Sequence, residues 1–227
     1  MDKCWLLKPQ GDPEIIKELS KLLAIDKSLA NLLVQRGVTN FGEAKTFFRP
    51  SLDNLNDPFL MKDMDKAIAR ISRAVENKER ILIYGDYDVD GTSAVSLVYT
   101  FLCNFHPDID FYIPDRYNEG YGISFQGIDF AAETDVKLII ALDCGIKSVE
   151  KVAYATTKGI DFIICDHHRP GAEIPAAAAI LDPKRPDCTY PYKELSGCGI
   201  GFKLIQAYAQ INNVPFDQLI QYLDLVV

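Results

Sequence analysis

Asp86, Asp88 and Asp90 alternate in the stretch ILIYGDYDVDGTSAVSL, residues 81–97, and Gly91 follows them at once. Farther along, Asp143 closes the apolar run VKLIIALD, and Asp166, His167 and His168 close the run DFIICDHH. Carboxylates and imidazoles gathered in this way hold divalent metal. Two unit charges about 4 Å apart repel by roughly 4 kcal/mol at an effective dielectric near 20. Three aspartates joined by Asp143 and Asp166 therefore need protons or a cation, and a cation is the more natural answer. One aspartate alone would be explained by capping the helix expected to start near Thr92, because helix N-termini favour Asp and Ser. Three are not.

The metal type follows from the donors. Asp-x-Asp-x-Asp-Gly matches the opening half of an EF-hand calcium loop. The twelfth position, where that loop needs a bidentate Glu, is Leu97, and a β-type run precedes the motif where a helix should. The calcium reading fails on both counts. Mixed imidazole and carboxylate donors favour manganese or another transition ion, with magnesium suited to a site where few histidines bind. Five or more candidate ligands suffice for two ions about 3.5–4 Å apart, an arrangement that clamps the attacking and leaving oxygens of a phosphoester.

These residues need a scaffold that brings distant stretches together. A chain of 227 residues, 48% hydrophobic and 25% charged, can bury a core as one large domain or as a domain with a small extension. Residues 1–60 are expected to form a helical extension and connector, and 61–227 the main domain. GDPEIIKELSKLLAI offers Asp12 as N-cap and Pro13 at the first helical position; KSLANLLVQRG and NFGEAKTFFRP repeat the helical pattern. A turn-rich connector then leads to the amphipathic helix DKAIARISRAVENKE. From residue 80 short β-branched runs, at 80–85, 110–114, 136–143, 161–166 and 177–182, alternate with helical stretches. That alternation predicts an α/β fold, a parallel five-stranded sheet with helices on both faces. GIGFKLIQAYAQINN and PFDQLIQYLDLVV are expected to be two final helices. Ligand sites of open α/β sheets lie at the carboxyl ends of the strands, where Asp86, Asp143 and the Asp166–His168 triplet would converge.

Composition excludes several classes. A net charge of −8 argues against broad attraction to nucleic acid, which needs clustered Lys and Arg. The six cysteines form no CxxC pair and are expected to be reduced and mostly buried thiols. No apolar run of about 18 residues suggests a membrane span, and the start of the chain lacks the features of a signal peptide. The expected location is cytoplasmic, without membrane contact.

The blocks YGDYDVDGTSA (84–94), LDCG (142–145), DHH (166–168) and SGCGIGFKL (196–204), in this order and spacing, resemble the first motifs of the DHH phosphoesterase superfamily. Within it they are closest to the RecJ single-strand exonuclease branch, which the segment PDRYNEGYG (114–122) also favours. The resemblance runs from about residue 60 to the end, and the helical preamble is similar to RecJ N-termini. It implies a Mn2+- or Mg2+-dependent hydrolase, with one or two ions, that degrades single-stranded DNA from the 5′ end in DNA repair and recombination. A helicase and a single-strand binding protein are implied as partners. Carried over by motif, Asp86, Asp88, Asp90, Asp143 and His167 would be metal ligands, with Asp143 the bridge. Asp166 and His168 would bind metal, orient His167 or contact substrate phosphate.

For the substrate, Arg116 is a candidate phosphate partner, and Tyr117 or Tyr121 a candidate stacking platform. Ser196, Gly197 and Gly199 precede a helix whose amides can cradle a phosphate, or which they merely cap and pack. Lys203 lacks the spacing and following Ser or Thr of a Walker loop. RecJ-type chains are longer, and their fourth metal motif begins at a segment like YLDLVV (222–227). Asp224 is either the fourth-motif aspartate or its neighbour, and the chain is expected to be a fragment, truncated at its C-terminal end, with weak or no activity alone. Two other readings stand beside this one: a DHH phosphodiesterase of cyclic dinucleotides or short oligoribonucleotides, and a non-catalytic RecJ-like scaffold.

Overall fold

The computed structural model describes residues 4–226. Met1–Lys3, within the stretch searched for a leader, and Val227, the last residue of the fourth-motif segment, lie outside the described residues. The chain divides into two compact units, Met1–Asn56 and Asp57–Val227.

The first unit holds three helices, α1 (Pro13–Leu23), α2 (Lys27–Val34) and α3 (Phe41–Phe48). Asp12 starts α1 by accepting the amides of Glu14 and Ile15, with Pro13 at the first position, where its missing N–H costs nothing. Ile16, Leu19 and Ala30 form one small core, and Leu33, Val38 and Ala44 a second.

The second unit begins with α4 (Met64–Glu76) and continues β1 (Arg80–Gly85), α5 (Val89–Leu102), β2 (Ile109–Tyr112), α6 (Phe125–Glu133), β3 (Val136–Leu142), α7 (Val149–Thr157), β4 (Asp161–Cys165), β5 (Ala179–Leu181), α8 (Gly197–Ile211) and α9 (Asp217–Ile220). All strand pairs are parallel and the order is β2-β1-β3-β4-β5, the five-stranded sheet expected. Strand side chains alternate between faces. Leu82, Tyr84, Ile139, Ala141, Phe162 and Ile164 share one core with α6 and α7 residues such as Ile128, Ala131, Val152 and Ala155. The equally buried Ile81, Ile83, Leu138, Ile140 and Ile163 point to the opposite face, where α4, α5 and α8 lie against the strands. Burial on both faces is why these strands are continuous apolar runs.

Two expectations need correction. Helix α5 starts at Val89, not near Thr92, because Asp88 is its N-cap and accepts the Gly91 amide at 3.0 Å; Asp90 thus lies inside the helix. PFDQLIQYLDLVV gives no full helix, only the four residues of α9 and a 3-10 turn at Leu223–Leu225. Cys144, Cys165, Cys188 and Cys198 are buried free thiols, while Cys4 and Cys103 are exposed. Among the described residues no helix is long and apolar enough to cross a membrane.

The topology locates the site. From β1 the chain moves outward to the edge strand β2, then crosses back to place β3 on the other side of β1. Ligands of such sheets bind in the crevice where the order reverses, and Asp86 and Asp143 are the residues that follow β1 and β3.

Candidate metal centre

Asp143 leaves β3 with φ 60°, a left-handed conformation that turns its carboxylate across the crevice. Its side chain is 3% exposed. Asp86 is buried just after β1, Asp88 is exposed at the N-cap of α5, and His167 is half-buried after β4. One ligand atom from each of Asp86, Asp88 and Asp143 lies within 4.8 Å of the others, as does one from each of Asp143, His167 and His168. Asp143 belongs to both groups. His167 Nε2 stands 3.1 Å from Asp143 Oδ1 and 3.6 Å from Asp90 Oδ2, yet Asp143 Oδ1 makes no hydrogen bond. Asp86 Oδ2 is likewise buried without a partner. Buried polar atoms are normally satisfied, so two orphaned carboxylate oxygens, that of Asp143 facing the His167 imidazole, fit a divalent cation.

Electrostatics agree. Burial first, then the charges of Asp90 and Asp88, push the Asp143 carboxyl up to about 8. Burial also raises Asp86, against the Tyr87 and Gly122 amides. These groups resist ionising without a positive charge between them.

Asp166 differs. Burial works to raise it, but hydrogen bonds hold it below the usual carboxylate range. Its Oδ1 accepts from the amides of His167 (2.8 Å) and His168 (3.1 Å) and lies 2.7 Å from His168 Nδ1, while Oδ2 accepts the Ile146 amide at 2.9 Å. So occupied, Asp166 fixes the ring of His168, not that of His167. His168 is raised by this bond against its burial, and its Nε2 lies 3.2 Å from the Tyr121 hydroxyl.

Asp90 is tied to α8, its two oxygens accepting the amides of Gly197 and Cys198, each at 2.7 Å. This overturns the phosphate cradle expected at Ser196, Gly197 and Gly199. Two of its amides already serve Asp90, and the Gly199 amide donates to Ser196 Oγ at 3.0 Å. The glycine at 197 has a packing reason: a Cβ there would lie 2.5 Å from Asp143 Cβ and Oδ1. Gly197→Ala is therefore expected to displace the Asp143 carboxylate, lower the melting temperature by roughly 2–10 °C and weaken Mn2+ binding. Gly199→Ala, whose Cβ would meet its nearest neighbour at an ordinary 3.4 Å, should change neither; calorimetry and a Mn2+ titration check both.

Of the other expected residues, Tyr121 reaches the centre, with its ring edge-on to His168 and to Tyr87. Arg116 lies over the Tyr87 ring, 5.1 Å from its centroid, so it stands beside the Asp86–Asp88 loop. Tyr117 is 93% exposed. Asp224 lies exposed on the Leu223–Leu225 turn and joins neither ligand group. Lys203 is buried in α8, where its ammonium donates to Gln206 at 2.8 Å.

Sequence reasoning missed two supporting residues. Glu119 accepts from the Asp115 amide (2.8 Å), the Tyr112 hydroxyl (3.0 Å) and the Ser124 hydroxyl, which fixes the loop carrying Arg116 and Tyr121. Asp182, fully buried after β5, is pushed up to about 6 by burial. Its position at a fourth strand end was the available signal.

Comparison with known proteins adds the following. The model of the DHH family, N-terminal domain, matches residues 80–227. The chain is 43% identical over 209 residues to the single-stranded-DNA-specific exonuclease RecJ of Bacillus subtilis (strain 168), covering 92% of this chain and 26% of that protein. It is 34% identical over 176 residues to the protein of the same name from Escherichia coli (strain K12), covering 73% and 30%. The chain thus spans about a quarter to a third of these relatives' length. A crystal structure of exonuclease RecJ bound to manganese superposes with a TM-score of 0.66 at 28% identity, over 73% of this chain and 42% of that one. RecJ of Thermus thermophilus in complex with Mn2+ gives a TM-score of 0.73 at 23% identity over 96% and 30%, a likeness of fold.

Proposed function

This chain belongs to the DHH family, and from that premise we propose that it is the metal-binding catalytic lobe of an exonuclease that hydrolyses phosphodiester bonds of single-stranded DNA. One observation carries the reading: ligand atoms of Asp86, Asp88, Asp143, His167 and His168 converge at the switch point of the sheet. The relatives that match most of this chain are named single-stranded-DNA-specific exonucleases.

Asp86, Asp88, Asp143 and His167 would hold one or two Mn2+ or Mg2+ ions, beside Asp90, which is anchored to α8. The bound cation supplies the positive charge that lets a phosphodiester accept an attacking water. Asp166 holds the His168 ring so that Nε2 faces the Tyr121 side of the crevice, where it can donate to a phosphate oxygen. Burial and the charges of Asp86 and Asp166 keep the Tyr121 phenol protonated, so it remains a donor with a face for a base. Arg116, held by the Tyr87 ring, is placed to pair with a backbone phosphate. A helicase and a single-strand binding protein would open the strand and keep it accessible, in the cytoplasm and in repair and recombination.

With Mn2+, slow release of 5′-mononucleotides is expected from a single-stranded oligodeoxynucleotide and none from its duplex, followed chromatographically. Turnover of dinucleotides alone would replace this reading with the oligonucleotide phosphodiesterase, and absence of Mn2+ binding would leave a scaffold.

A further inference from the structure

Between the carboxyl end of β3 and the start of α7 lies a cavity of about 450 Å3. It shares Asp166 and His168 with the candidate metal centre, and Tyr121 stands at its wall. Cys144, Ile146 and Val149 give it apolar surface, and Lys147 and Lys151 give it positive charge. The volume lies within the roughly 300–1,000 Å3 range of small-ligand sites, room for one nucleotide and not for a run of them.

The charges need an explanation. Several buried or half-buried cations of this unit are paired: Arg70 with Glu79 and Asp161, Lys184 with Glu194, Arg185 with Asp63 and Asp187. Among the described residues Lys147 and Lys151 make no ion pair or hydrogen bond, although Lys151 is half-buried. Glu150 is the one other charged group of this first helical turn, and the Asp166 carboxylate is occupied by its own donors. The Ser148 side chain, at the N-cap of α7, makes no capping hydrogen bond, which leaves first-turn amides without a side-chain acceptor. Two ammonium groups, an uncapped helix end and apolar walls around one half-open space suit an anion with an apolar body.

We infer that this cavity seats one nucleotide next to the scissile bond, with Lys147 and Lys151 pairing its phosphate and Tyr121 lying against its base. The inference rests on the proposed phosphodiesterase reading and names a subsite of that same crevice. Its cations belong to α7 and the turn before it, and neither of them is a candidate metal ligand.

The test is calorimetric titration of the 227-residue chain with deoxythymidine 5′-monophosphate, thymidine and inorganic phosphate, each with Mn2+ and in EDTA. Deoxythymidine monophosphate is expected to bind in both conditions, and thymidine and inorganic phosphate much more weakly. Lys147→Ala and Lys151→Ala should each weaken the nucleotide about tenfold, the effect of one charge-assisted contact, and Lys147→Arg should restore most of it. Mn2+ affinity, read by electron paramagnetic resonance, should not fall in these variants. Unchanged nucleotide affinity in the double alanine variant overturns the inference, as does thymidine or inorganic phosphate binding as tightly as the nucleotide. If the wild-type chain fails to bind Mn2+ while nucleotide binding in EDTA still depends on the lysines, the metal reading fails and the subsite stands.

Discussion

Asp143→Asn is expected to weaken Mn2+ binding on the order of 100-fold or more and, in EDTA at pH 8, to make the chain more stable than wild type. Both effects come from one carboxylate. Asp143 is the residue common to the two groups of converging ligand atoms, so no other single substitution takes a donor from both. Its carboxyl is pushed up to about 8 by burial and by Asp90 and Asp88, against 3.8 in an unstructured chain. Between about pH 4 and pH 8 the unfolded chain has released this proton and the folded chain has kept it. The folded state then binds more protons, and its stability falls as pH rises through the window. The charged form is disfavoured by on the order of 5 kcal/mol at the upper end, an upper bound because Asp86, Asp88 and Asp90 titrate with it. Asn has no proton to lose, so its melting temperature should stay level where that of wild type declines, and the curves should separate towards pH 8. Saturating Mn2+ should restore only the wild-type chain. Thermal melts from pH 5 to 9, with EDTA and with Mn2+, read both effects; an Asn variant that binds Mn2+ within about threefold of wild type removes Asp143 from the centre.

The strands were legible because a parallel sheet buried on both faces writes itself as unbroken apolar runs; 80–85 and 136–143 fall on β1 and β3 nearly residue for residue. The carboxylates were legible because strand ends are where an apolar run must stop. Strand order was not, since nothing local in β2 says that it lies outside β1 and that β3 returns to β1's other side. The same limit explains the cradle at 196–199. A serine and two glycines ahead of a helix look alike whether the helix end meets a phosphate or a carboxylate from residue 90, and only tertiary structure supplies Asp90. The start of α5 lies three residues before the expected one because, of the three capping candidates, Asp88 is the one whose side chain accepts the Gly91 amide, which places Asp90 in the first turn. The short tail of α9 shows the converse: PFDQLIQYLDLVV has helical spacing, but helices this short draw their stability from packing more than from propensity.

Arg185→Met is expected to cost about 3–5 kcal/mol, the loss typical of breaking a buried ion pair from one side, and to lower the melting temperature by roughly 6–20 °C. The Arg185 side chain is 6% exposed and that of Asp63 9%. One guanidinium nitrogen donates to Asp63 Oδ2 at 2.7 Å and to the Ile180 carbonyl at 2.8 Å; the others hold Asp187 at 3.0 and 2.8 Å. Asp63 precedes α4 with φ 64°, so the arginine fastens a strained turn to the short strand β5. Without it the Asp63 carboxylate keeps only Lys66, 2.7 Å away on the solvent side, and the Ile180 carbonyl loses a donor. Burial works to raise Asp63, but Lys66 and Arg185 hold it below 3.8. Its contribution is therefore complete above about pH 4 and lost as pH falls through the lower folded value, a loss on acidification that Arg185→Met should blunt. Asp63→Asn combined with Arg185→Met should cost less than the sum of the two, since the second change removes the charge the first leaves buried. Additive losses would show that the pair is not coupled. A second readout ties the anchor to the site: the Asp166 amide donates to the Leu181 carbonyl of β5 at 3.0 Å, so loosening β5 should let Asp166 and His168 shift and weaken Mn2+ several-fold at temperatures where the variant is still folded. Unchanged Mn2+ affinity there would confine Arg185 to holding the sheet edge and leave the orientation of His168 to Asp166 and the Ile146 amide alone.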